Sequence, residues 1–157
     1  MIDFNAVGIQ KKRLYIDVCT LCRPFDDQNM MRIRLETDAF YLILRSIQNK
    51  TYEIVISPVH LKEIEQIKDM CERVNLEILL NRYGVKPQYN LNEIRKRAEQ
   101  LYLLKFGVAD AAHIAFAEAT SNFFITCDNK LLKKCNKSKI NVSVMNPINF
   151  CLKEDLR

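Results

Sequence analysis

Short apolar runs alternate with longer stretches of helical period along this chain, and the runs end in acids. Leu14-Tyr15-Ile16-Asp17 follows Lys11-Lys12-Arg13 as a β-type run that stops at Asp17 and breaks into a turn around Pro24. A helix is predicted from about Met30 to Gln48, with Asp26, Asp27 and Asn29 offering capping oxygens. Its apolar face carries Ala39, Phe40, Ile43 and Ile47, with Glu36 in the middle. Glu53-Ile54-Val55-Ile56 is a second strand, and Ser57-Pro58 starts a helix expected to run to about Leu80. A buried stripe of Ile64, Ile67, Cys71, Val74 and Ile78 would place Glu63 about 60° from its centre and Glu65 about 140° away. Glu63 therefore faces inward and Glu65 faces water.

After a break at Tyr83-Gly84-Val85-Lys86-Pro87, Asn90 and Glu93 form a capping box for a helix closing at Phe106-Gly107. Val108 to Ala117 is alanine-rich nearly all round, as in a helix enclosed by neighbours, with Asp110 in its first turn. Phe123-Phe124-Ile125-Thr126 is a third strand, followed by Asp128 and a short helix over 129–135. A fourth strand over 140–144 and a terminal segment over 147–152 complete the chain, while residues 1–13 are a lead-in without usable periodicity. This alternation predicts an α/β fold with a parallel sheet of about four to five strands, helices on both faces and right-handed crossovers. Ligands in such sheets bind beyond the carboxyl ends of the strands, where Asp17, Asp128 and the start of the Glu63 helix fall.

Composition narrows the class. The 157 residues are 48% hydrophobic and 27% charged, which suits one globular domain with its core over about 14–145. No apolar run approaches the roughly 18 to 20 residues of a membrane span, and Met1 to Asn5 lacks a signal-peptide layout, so a cytoplasmic protein without a membrane partner is expected. The six cysteines mostly fall inside apolar patterns and read as reduced thiols. The net charge of +5 persists although several acids are expected in one cleft, which leaves the remaining surface more basic than the total indicates.

Those acids carry the chemistry. Asp17 and Asp128 at strand ends, Asp110 at a helix start and Glu63 on an inward flank converge on one edge. Four carboxylates in a partly buried cleft raise one another's pKa, a conflict that a divalent cation resolves. All-oxygen ligation suits Mg²⁺ or Mn²⁺, which polarise phosphate esters and activate water for in-line attack.

These residues resemble the PIN-domain ribonucleases of the VapC-like toxin type. Leu-Tyr-Ile-Asp17, Ser57 with Glu63 six residues on, Asp110-Ala111-Ala112-His113-Ile114-Ala115 and Phe-Ile-Thr126-Cys-Asp128 look like the four acidic motifs of that family in order, across residues 14 to about 145. Arg23-Pro24-Phe25-Asp26-Asp27-Gln28 looks like a bacterial or archaeal subgroup of it. The resemblance implies a three-layer α/β/α sandwich and RNA hydrolysis that leaves a 5′-phosphate and a 3′-hydroxyl. It further implies that Asp17, Glu63, Asp110 and Asp128 are the catalytic, metal-holding acids of a toxin with an antitoxin partner, and that the chain forms a homodimer. Apolar residues of the 30–48 and 58–80 helices not needed for the core are where that dimer would be sought. Two positions depart from the pattern: Cys19 stands where a hydroxyl or amide often supports the first acid, and Lys130 stands where another acid often follows the last. Glu36, Cys19 and Thr126 are candidates for supporting the acids.

Each assignment has a plainer counterpart. Asp26 and Asp128 serve equally as helix caps, Asp110 answers a helix dipole, and Glu63 is placed to reach water from its flank. Glu36 is one turn from Arg32 and suits an ion pair. His113, one turn after Asp110, is placed to bind phosphate or support a carboxylate but reads better as a satisfied core residue, and His60, on a buried face, is given no role. Arg23, Lys130, Lys133 and Lys134 are candidate RNA contacts, together with Lys137, Lys139 and Arg95-Lys96-Arg97, although such runs are usually solvated faces. Two alternatives to a nuclease follow. One is a binding module for RNA or protein on the same fold, and the other is a thiol redox protein built on Cys19-x-x-Cys22, which leaves the acids unexplained.

Overall fold

The strands are short, and most residues in the central three are buried, so they form one sheet covered on both faces. The structure, a computed structural model, describes residues 10–157; the first nine residues of the expected lead-in lie outside the described residues. The elements in order are β1 Lys12–Ile16, α1 Val18–Leu21, a 3₁₀ turn Arg23–Phe25, α2 Met31–Gln48, β2 Tyr52–Val55, α3 Pro58–Glu65 and α4 Met70–Tyr83. They continue with β3 Gly84–Val85, α5 Leu91–Leu103, α6 Val108–Thr120, β4 Phe123–Ile125, α7 Asn129–Asn136, β5 Ser143–Met145 and α8 Pro147–Lys153. The five strands pair in the order β3-β2-β1-β4-β5, all parallel, which gives the three-layer α/β/α sandwich that was expected.

Period-two alternation along the strands divides the core. Leu14, Ile16, Ile54, Phe123 and Ile125 face a layer that includes Phe40, Ile43, Leu76, Leu80 and Phe150. Tyr15, Val55 and Phe124 face the other layer, with Ile94, Leu101, Ile114 and Leu131. β1 lies between its neighbours in the register Leu14↔Ile54 and Leu14↔Phe123. One further ladder bond, from the Asp17 amide to the Ile125 carbonyl at 2.9 Å, fixes the backbone at the point where the carboxylate emerges.

The elements differ from expectation in four places. The helix expected from Ser57 to about Leu80 is two helices, because Gln66 to Asp69 interrupts it and the Asp69 carboxylate caps α4 by accepting the Glu72 amide at 2.8 Å. That interruption resets the helical phase. Leu76 and Leu80 are buried in place of Cys71, Val74 and Ile78, which are exposed, whereas Ile64 and the inward-facing Glu63 of α3 stay as predicted. The break at 83–87 contains β3, the fifth strand, whose two residues pair with Ile54 and Val55. Met30 caps α2 without a side-chain bond, and Asp26 instead pairs with Arg23 at 2.8 Å. The last strand is centred on Val144, later than the 140–144 expectation. No helix among the described residues is long and apolar enough to cross a membrane.

Candidate metal centre

Asp17 stands at the carboxyl end of β1, where the chain turns from strand into the short helix α1, and it is 8% exposed. Burying a carboxylate requires donors. The Thr126 hydroxyl donates to Asp17 Oδ2 at 2.8 Å and the Cys19 thiol donates to the same oxygen at 3.3 Å. Two of the three candidate supports, Cys19 and Thr126, therefore act on one oxygen, and Oδ1 is turned toward the Nε2 of His113 at 3.9 Å. Thr126 also accepts the Asp128 amide at 3.1 Å, so a single hydroxyl links the ends of β1 and β4.

Glu63 arrives from α3 and is half-buried. Its helix starts at the strand edge because Ser57 and His60 form a reciprocal capping box, with the Ser57 amide donating to His60 Nδ1 at 3.1 Å, and because Pro58 occupies the first turn. Glu63 Oε1 lies 3.0 Å from His113 Nε2. The nearby imidazole draws the Glu63 carboxyl below its ordinary value, against the opposing push of burial. The pair is close but poorly aligned, so Nε2, buried and 1% exposed as a residue, has no hydrogen-bond partner among the described residues. Asp17, Glu63 and His113 each offer a ligand atom, all within 4.8 Å of one another. A buried, unpartnered nitrogen between two carboxylates is a donor set that fits a divalent cation.

Asp110 and Asp128 border this cluster. Burial raises the Asp110 carboxyl above its ordinary value, and the negative charges of Asp17, Asp128 and Glu63 push in the same direction, so the four acids share one field. Asp128 is exposed and caps α7, its Oδ1 accepting the amides of Lys130 at 2.9 Å and Leu131 at 3.1 Å. Glu36 is 2% exposed and bound on both sides, by Arg23 Nε at 3.1 Å and by Arg32. Burial pushes its carboxyl up, yet the hydrogen bonds of the Cys127 thiol and the two arginines prevail and hold it low. Arg32 also donates to the Cys127 carbonyl at 2.6 Å, which makes Glu36 the centre of a clamp on the chain just before Asp128.

The basic candidates divide. Lys130 and Lys133 are exposed. Lys134 instead donates to the Lys105 carbonyl and lies 5.0 Å from the centre of the Phe106 ring, which fastens α7 to the α5–α6 turn. Arg23 is engaged by Asp26 and Glu36, and Arg97 by both oxygens of Glu118. All six cysteines are free; burial pushes the Cys19 thiol up to about 12 and the Cys22 thiol higher still, the opposite of what a reactive thiolate needs.

The sequence reading set His113 aside as a satisfied core residue; it is in the core, but its Nε2 is unsatisfied and faces the acids. The signal was the Asp110-x-x-His113 spacing, which sets both on one helix face. Tyr15 was likewise read as an apolar strand residue. Its hydroxyl lies 2.6 Å from His113 Nδ1 and 2.7 Å from Ser57 Oγ.

Fold and cluster together define a parallel α/β/α sandwich with a metal-capable group of two carboxylates and an imidazole at the carboxyl edge of its sheet. Among solved structures the chain is similar to FitAcB from Neisseria gonorrhoeae, with a TM-score of 0.54 at 16% identity over 85% of this chain and 97% of that one. At that identity the likeness bears on the fold alone. No protein-family model and no curated protein matches the chain.

Proposed function

We propose that this chain is a metal-dependent endoribonuclease, acting as one cytoplasmic domain. In this reading Asp17, Glu63, Asp110 and Asp128 hold one or two Mg²⁺ or Mn²⁺ ions against an RNA phosphodiester. The observation that carries it is the buried Asp17 carboxylate, with Glu63 and the orphaned His113 nitrogen beside it, at the edge where parallel sheets bind ligands. When bound, the cation supplies Lewis-acid polarisation of the phosphate and activation of water. The chain's own part is to hold Asp17 Oδ2 with Thr126 and Cys19 and to keep the four acids in one field. Lys130 and Lys133, exposed next to Asp128, are placed to meet RNA phosphates. The motif resemblance adds the products, a 5′-phosphate and a 3′-hydroxyl, and a role as a toxin restrained by an antitoxin protein. It also adds a homodimer, for which the exposed Met31, Leu35 and Tyr41 of α2 and Ile78 of α4 supply apolar surface.

The test is cleavage of labelled RNAs by wild type and Asp17→Asn, with Mn²⁺, with Mg²⁺ and with EDTA. Metal-dependent cleavage that falls to the EDTA background in Asp17→Asn is the expected result; wild type inert under both metals refutes the reading. A second reading, a binding module for RNA or protein with a weakened site, is favoured by one observation: Asp128 Oδ1 is already committed to two backbone amides. Such a module has no reason to bind Mn²⁺ tightly through Asp17, which calorimetry on the same two proteins decides.

A further inference from the structure

A buried polar chain leads away from the metal-capable cluster, and hydrogen-bond accounting fixes the protons at its far end. It begins at the Ile16 carbonyl, which can only accept; His60 Nε2, 2.7 Å away, therefore donates. The Ser57 amide can only donate, so His60 Nδ1 at 3.1 Å accepts. His60 is thus a neutral imidazole of known tautomer. From there the chain continues through Ser57 Oγ, 3.0 Å from His60 Nδ1, to the Tyr15 hydroxyl at 2.7 Å and on to His113 Nδ1 at 2.6 Å. All four side chains are buried to the same extent as the core.

Two proton arrangements satisfy these contacts. In one, Tyr15 donates to His113 Nδ1, and the opposite ring nitrogen then carries a hydrogen that faces Glu63. That nitrogen is within 3.0 Å of Glu63 Oε1 but not aligned with it, so this arrangement leaves a buried N–H without a hydrogen bond. In the other, Ser57 Oγ donates to His60, Tyr15 donates to Ser57 Oγ and His113 Nδ1 donates to Tyr15. Nε2 is then a bare lone pair beside Asp17 and Glu63 oxygens; no donor is left unpaired, and a cation among the three removes the repulsion between lone pair and carboxylates, so this is the arrangement a bound cation selects.

We propose that Tyr15, Ser57 and His60 are positioning residues that hold His113 in the tautomer presenting Nε2 as a nitrogen ligand, and that this makes the centre prefer Mn²⁺ to Mg²⁺. The proposal rests on the metal reading given above and deepens it. Imidazole suits transition ions, whereas Mg²⁺ takes oxygen and gives up its water reluctantly. A hydrogen bond on the remote ring nitrogen sets both the tautomer and the basicity of a ligating histidine.

Pulsed electron paramagnetic resonance of the full chain loaded with Mn²⁺ alone, with calorimetry for Mn²⁺ and Mg²⁺ separately, tests this. Wild type is expected to show a directly coordinated ¹⁴N coupling that disappears in His113→Gln. Tyr15→Phe, matched to wild type by circular dichroism, is expected to lower Mn²⁺ affinity about 10- to 100-fold and to lower the Mn²⁺-to-Mg²⁺ affinity ratio with it. Ser57→Ala is expected to act in the same direction. Mn²⁺ bound without nitrogen coupling overturns the proposal, as does wild-type protein that binds no Mn²⁺. A Tyr15→Phe protein with wild-type affinity ratio overturns the positioning role; should that variant not fold, Ser57→Ala decides the role in its place. Nitrogen coupling in a protein that cuts no RNA sustains this inference and defeats the nuclease reading, and RNA cleavage without nitrogen coupling does the reverse.

Discussion

His60 ties the stability of the fold to pH in a window where few other groups titrate. Burial lowers its pKa from 6.5 to about 4, with the neighbouring His113 pushing the same way. Between those two values the unfolded chain binds more protons at this residue than the folded one, so stability is complete above the unfolded value and falls as the solution is acidified. A gap of about 2.5 between the folded and unfolded values, at about 1.4 kcal/mol for each, amounts to about 3 kcal/mol in full. Roughly 2 kcal/mol of that is lost between about pH 7 and about pH 5, before most carboxylates begin to protonate. His60→Gln isolates the effect, because glutamine at this position keeps a Ser-x-x-Gln capping box with Ser57 while removing the titration. The variant will be less stable at neutral pH, since the bond to the Ile16 carbonyl is lost, but its pH slope is the informative quantity. Urea unfolding at about pH 7 and about pH 5 should show wild type losing about 2 kcal/mol more than the variant. Equal losses in the two proteins would mean that folded His60 protonates as freely as unfolded His60, and the reasoning from burial would be refuted.

Three further outcomes follow from other parts of the structure. A Cβ built on Gly84 would sit 2.4 Å from the Leu80 carbonyl and 3.1 Å from Ile56 Cγ2, so Gly84→Ala should cost about 1–3 kcal/mol in urea unfolding. It should also speed hydrogen exchange at the Ile56 amide, which donates to Val85 at 3.0 Å. Glu36→Ala removes the shared acceptor of Arg23 and Arg32; because Arg32 is half exposed, a loss of about 1–3 kcal/mol is expected by the same measurement, with an unchanged midpoint refuting a structural clamp. Thr126→Val takes the strongest donor from Asp17 Oδ2 and should weaken Mn²⁺ binding about 10- to 100-fold by calorimetry, while Lys133→Ala should leave it unchanged.

What could be read from the sequence and what could not divide along a physical line. Strand positions such as Leu14, Ile16, Phe124 and Ile125 were legible because a short continuous apolar run suits a strand covered on both faces, and the parallel sheet followed from their alternation with helices. β3 was not, since two residues are too few to show a period, and its pairing depends on the absence of a Cβ at Gly84 where it meets the Leu80 carbonyl. The α3–α4 break was written in the chain as Asp69 followed by Glu72, a helix start, but a continuous apolar stripe through Ile67, Cys71 and Val74 outweighed it and carried the phase past the interruption. Two of the basic residues have partners that were illegible for a related reason. Lys134 and Arg97 are polar by composition, yet what they bind, the Lys105 carbonyl and Glu118, comes from other elements and is invisible to a local reading.

The acids and the histidine at the candidate site show the same contrast in its sharpest form. A carboxylate at the end of a buried strand conflicts with its surroundings, so Asp17 stands out from sequence alone and demands a partner. An imidazole is compatible with burial whether it is a satisfied core group or a ligand, so nothing in Ala111-Ala112-His113-Ile114 separates the two roles. Only the partners separate them. Glu63 from α3 stands on one side of His113 and Tyr15 from β1 on the other, and neither is within 40 residues of it in sequence. For Nε2, the direction in which the hydrogen bonds of the Tyr15–Ser57–His60 chain run is the difference between an unpaired buried donor and a ready ligand.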